Sequence, residues 1–178
     1  YFRANNMQVR TATQAELEAI LINNSLELKN HYEDTALILR SEDNPNKYLA
    51  KDLTAQIKAR QRTKELKYSI MIPLKGLSLK QDPKSEHNFS FVLTPETELI
   101  HSEKLAHENS QKKFNKTDEF GLPIFNSKGK RTFYTRDSGL SGFFLGGYLG
   151  LYSYLNDLAV SGAHGRVVLV SPERVKKI

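Results

Sequence analysis

Seven of the chain's ten glycines fall between Gly139 and Gly165, in the same last third that holds its densest apolar and aromatic residues. Glycine serves where backbone must turn sharply or approach another group closely, so this stretch limits the fold more than any other. Arg131, Thr132, Phe133, Tyr134 and Thr135 have strand composition, and Asp137, Ser138 and Gly139 turn the chain after them. Phe144, Tyr148, Leu151, Tyr152, Leu155, Leu158 and Ala159 then recur at intervals of three and four. That spacing predicts a helix over 146–160, stopped by Gly162, against a cost of about 1 kcal/mol for each interior glycine. Val167, Val168, Leu169 and Val170 follow as a β-branched run suited to a buried core strand.

Upstream, residues 1–5 read as a short strand. Thr13 with Glu16 three places later forms the pattern of a capping box. A helix over 13–22 should carry Ala15, Leu17, Ile20 and Leu21 inward and stop at Asn23 and Asn24. Residues 26–39 suit either a strand or a helix end. Asp52 is a plausible N-cap for a second helix over 53–62, whose other face is basic through Lys58, Arg60, Arg62 and Lys64. Strands over 68–72 and 89–93, ended by Pro73 and by Thr94-Pro95, are expected to be antiparallel neighbours. Residues 100–130 read as a polar surface excursion anchored by Phe120, Leu122, Ile124 and Phe125. The sum is an α+β chain with a mixed or antiparallel central sheet and two to three flanking helices. It reads as one domain over 1–178, cut from something longer because it opens on Tyr1-Phe2-Arg3 without a Met.

The chemistry open to the chain is narrowed by what it lacks. With no cysteine in 178 residues, disulfides, thiolate catalysis and cysteine-ligated metal are excluded. No apolar run approaches a membrane span. GxGxxG, a P-loop and a nucleophile elbow are missing, and the five histidines fit no zinc spacing. Glu96-Thr97-Glu98 pairs two carboxylates after Pro95. His164, between Gly162 and Gly165 ahead of the last strand, occupies a usual position for a functional loop side chain. A net charge of +6 favours acidic partners. Lys58, Arg60, Arg62, Lys64 and Lys67, with Lys128, Lys130, Arg131 and Arg136 near the rings of Phe133 and Tyr134, could contact phosphates and stack bases. That reading gives a basic module for nucleic acid or an acidic protein. A third reading, an assembly domain, needs an exposed apolar patch around Phe143, Phe144 and Tyr148.

Tyr1-Phe2-Arg3-Ala4 on a first strand, the helix over 13–22, Lys47-Tyr48-Leu49-Ala50 leading into a helix, the strand over 68–72 and a closing run through Ser171, Pro172 and Glu173 together resemble the ADP-ribosyltransferase superfamily of toxins and effectors. The resemblance implies NAD as cofactor and a protein or nucleic-acid substrate. It implies that Tyr1 and Arg3 form the aromatic and arginine pair that binds the NAD phosphates, and that Tyr48 packs near the nicotinamide. Where the family carries its catalytic glutamate, this chain has His164, Gly165 and Arg166, which leaves His164 and Glu173 as catalytic candidates and Glu98 as a further carboxylate. A carboxylate is required because cleavage of the nicotinamide bond develops positive charge on the sugar. The same resemblance sets the opening and closing strands side by side in one mixed sheet. It suits the toxic end of a longer secreted protein, or otherwise a cytoplasmic one.

Overall fold

The computed structural model describes residues 2–4, 7–23, 30–107, 111–155, 158, 165 and 167–171, with backbone alone at 2–4, 7 and 8. The chain runs β1 (Phe2–Ala4), β2 (Met7–Thr11), α1 (Gln14–Ile22), β3 (Glu33–Leu39) and α2 (Lys47–Gln61). It continues through β4 (Ile70–Pro73), β5 (Leu77–Gln81), β6 (Phe89–Leu93), β7 (Ile100–His101), β8 (Gln111–Thr117) and β9 (Pro123–Phe125). β10 (Arg131–Thr135), β11 (Leu140–Leu145), β12 (Leu151–Ser153) and β13 (Leu169–Val170) complete it. Eight strands form one mixed sheet in the order β7-β4-β3-β11-β12-β10-β8-β9, in which β10 and β12 alone are parallel neighbours. The class is α+β, with two α-helices among the described residues. None of these helices is long and apolar enough to cross a membrane.

β3 lies between β4 and β11 and explains why residues 26–39 gave an ambiguous signal. Both faces of its second half are covered, so Ala36 to Leu39 are apolar at every position rather than at alternate ones. Ala36 and Ile38 join a core with Leu17 of α1 and the aromatic residues Phe114, Phe133 and Phe143. Leu37 and Leu39 face the other way, against Leu49, Leu53 and Ile57 of α2 and Phe91 of β6. At the end of β3 the buried Arg40, 3 % exposed, donates to the Leu105 carbonyl, Ser141 Oγ, Thr135 Oγ1 and both the carbonyl and hydroxyl of Ser153, all within 2.6–2.9 Å. One guanidinium thus ties together the ends of β3, β10, β11 and β12. Burial lowers its pKa to about 9, which leaves it a cation at neutral pH.

The capping box at α1 is present on both sides. Thr13 Oγ1 accepts from the Glu16 amide, and the Thr13 amide donates to Glu16 Oε2 at 2.8 Å. The second helix departs from expectation by starting at Lys47. Asn46, in the left-handed region at φ 59°, turns the chain into it, and Asp52 lies within the helix, accepting from Gln56 at 2.8 Å. The strands at 70–73 and 89–93 are not neighbours. Residues 77–81, which carry little strand signal because they are mostly exposed, pair with β6 instead, from Leu77 opposite Leu93 to Gln81 opposite Phe89. The short turn from Asp82 to Asn88 makes this local pairing the cheaper closure. Residues 100–130 contain β7, β8 and β9 rather than a loop. β8 looked like surface because Phe114 is its only buried residue.

Over the described residues 146–155 of the predicted helix, the chain instead forms the turn and second strand of the β11–β12 hairpin. The turn is closed by the Gly146 amide on the Gly150 carbonyl at 2.9 Å. A side chain at Gly146 would collide with the Tyr152 ring, so the glycines permit close approach in a sheet. The apolar spacing of three and four arose because Phe143, Leu145 and Leu151 face the core while Phe144 and Tyr152 stack on the opposite face. The closing run forms an edge strand in a smaller sheet, though Val168 is buried in the core and Val170 packs against it. β13 pairs with β2 at the edge of a three-stranded sheet ordered β1-β2-β13, and Val167 and Leu169 are 67 % and 44 % exposed. β2 therefore separates the opening and closing strands, which were expected side by side in the main sheet.

Candidate functional site

A cleft of about 580 Å³ opens on the α2 side of β3 and β11. Its floor is Leu37 and Asp34 of β3 with Gly142 and Phe144 of β11, and Leu77, Leu79, Phe89 and Phe91 of the β5–β6 hairpin form one wall. Arg10 and Thr11 of β2, Tyr32, Lys75, Leu155 and Leu158 also line it. The lining is chiefly leucine and phenylalanine.

A β-bulge aims Asp34 into this cleft. In the β3–β11 ladder Ala36 faces Phe143 and Asp34 faces Phe144, so Thr35 is the extra residue on its strand. Thr35 turns inward, donating to Gln14 Oε1 at 3.0 Å and bonded to the Phe143 carbonyl at 3.2 Å. Without the extra residue, strict alternation would put Asp34 on the same side as Ala36 and Ile38, inside the core. The bulge reverses that, leaving Glu33 and Thr35 buried and Asp34 exposed along the cleft. Apolar surroundings raise the Asp34 pKa.

Charge accounting singles out the same residue. Arg10 makes a two-pronged pair with Glu16 at 2.7 and 2.8 Å, and Lys75 lies 3.4 Å from Glu98. Asp34 has no hydrogen-bond or ion-pair partner among the described residues. On a chain of net charge +6, the unneutralised group in the cleft is an anion. No signal in the sequence marked Asp34, because a bulge depends on the partner strand and leaves no periodic trace in its own.

Tyr1, His164 and Glu173 lie outside the described residues, as does the side chain of Arg3, whose backbone belongs to β1. Tyr48 stands on the first turn of α2, 37 % exposed, and its hydroxyl donates to Asp82 at 3.0 Å, which raises the phenol pKa. Glu98 is the ion-pair partner of Lys75. Of the basic set, Lys58 pairs with Glu42 and Arg60 donates to the carbonyls of Thr94 and Pro95. Arg131 is held by Glu18 at 2.6 and 2.7 Å and lies over the Phe114 ring. Phe133 is fully buried and cannot stack on a base, and Phe143 is likewise buried and cannot belong to an exposed patch. Tyr134 stacks on Tyr152 at 4.7 Å. No group of three or more histidine, aspartate or glutamate residues suited to a metal occurs among the described residues.

Compared with protein-family models, curated proteins and solved structures, the chain matches none.

Proposed function

We propose that this protein is a binding module that holds a small, largely apolar ligand in the cleft between the main sheet and the β5–β6 hairpin. One observation carries the reading: a cavity of about 580 Å³, lined chiefly by leucine and phenylalanine, with a carboxylate that has no hydrogen-bond or ion-pair partner among the described residues. That volume lies within the roughly 300–1,000 Å³ usual for small-molecule sites, where apolar walls supply affinity and a few polar groups supply orientation.

Gly142 offers a direct test. A Cβ built there would meet Asp34 Oδ1 at 3.8 Å and Leu158 Cδ2 at 3.9 Å, both ordinary contacts, so the position has room and opens onto the cleft. Gly142→Leu should fill the cavity while the sheet stays intact. Decanol should raise the melting midpoint of the wild-type protein and leave that of Gly142→Leu unmoved. A midpoint unchanged by decanol in the wild type sinks the proposal. NAD and a short RNA belong in the same experiment, because the NAD-dependent transferase and the basic nucleic-acid module are the alternatives. A rise with either, in place of decanol, would favour that alternative.

A further inference from the structure

The end of the cleft at Asp34 has a composition of its own. Asp34 and Phe144 are direct cross-strand partners, and Tyr32 meets Phe144 edge to face, with ring centroids 6.3 Å apart and planes at 69°. All three side chains line the cavity. Tyr152 covers one face of Phe144 at 5.2 Å, which braces that ring where it stands. Two rings in edge-to-face contact thus stand beside a carboxylate at one end of the cavity, and aromatic rings attract cations through their electron-rich faces. Such surroundings suit a bulky, weakly hydrated cation. A carboxylate ligand would be repelled by Asp34, while the two cations of the lining are already neutralised by Glu16 and Glu98.

We propose that the cleft selects amphiphiles carrying a quaternary ammonium group, with the cation seated between Tyr32, Phe144 and Asp34 and the alkyl chain along Leu37, Leu77 and Phe91. This rests on the cleft being a ligand site, and deepens that reading by naming the head group. Asp34 is the specificity-determining residue and the rings supply the shape.

Three probes of one chain length separate the two claims: decyltrimethylammonium, decanol and decanoate, each below its micelle concentration, titrated calorimetrically at low salt. The ammonium should bind at least about tenfold tighter than decanol, the value for roughly 1.4 kcal/mol from one close charge and ring contacts, with decanoate weakest. Asp34→Asn, which breaks no hydrogen bond or ion pair among the described residues, should shrink the preference for the ammonium over decanol to about that of the ring contacts alone, near threefold or less. Asp34→Glu should restore most of it. Equal affinity for all three probes, or a preference that survives Asp34→Asn, would overturn the head-group assignment and leave the cleft as a general apolar site. Failure of all three to bind would remove the site itself.

Discussion

Glu33 is the residue whose burial is hardest to reconcile with its charge. It is 3 % exposed, accepts from the Val168 amide through Oε1 at 2.8 Å, and leaves Oε2 buried without a hydrogen-bond partner among the described residues. Burial raises its pKa to about 7, the Val168 hydrogen bond opposes this, and the neighbouring Asp34 adds to it. An acid whose folded pKa exceeds its unfolded value holds more protons when folded, so stability falls as pH rises between the two. For Glu33 that window runs from the ordinary 4.5 to about 7. At about 1.36 kcal/mol per pH unit, the loss across it is roughly 3 kcal/mol at most. Glu33→Gln keeps an oxygen for the Val168 amide and never ionises. It should therefore be close to neutral at pH 5 and stabilising at pH 8 by about 2–3 kcal/mol, or about 4–12 °C in melting midpoint for a chain of this size. Urea unfolding of both proteins at the two pH values measures this. Parallel pH dependences for the two would mean that Glu33 is not held protonated by its surroundings, and the reasoning would fail.

Arg40→Ala should cost about 3–5 kcal/mol in urea unfolding, since it removes the donor shared by the ends of four strands and leaves a cavity. A loss under about 1 kcal/mol would show that the hydroxyls re-pair without it. Glu18→Ala strands the Arg131 guanidinium beside Phe114 and should cost about 3–5 kcal/mol, with Glu18→Gln appreciably milder; equal effects would argue against a charge pair. Thr13→Ala should cost only about 1 kcal/mol, because Glu16 retains Arg10. Gly146→Ala should lower the melting midpoint strongly through collision with Tyr152, while Gly142→Ala should leave it nearly unmoved. The reverse order would contradict the packing described for the β11–β12 hairpin.

What the sequence by itself determined were features governed by neighbours a few residues apart. The α1 capping box needs only Thr13 and Glu16, and the strands ending at Pro73 and Leu93 follow from β-branched and aromatic runs cut by proline. The strand at Arg131–Thr135 is legible for the same reason. Which strands pair was decided by tertiary contact, since composition cannot tell that 89–93 prefers the exposed 77–81 to the buried 70–73. The apolar residues after Gly139 suit a helix and a hairpin alike, and pairing with β3 and β10 decided between them. The cleft belongs wholly to the second kind. Asp34 reaches it because Thr35 bulges against β11, and an extra residue in a ladder exists only once the partner strand is in place.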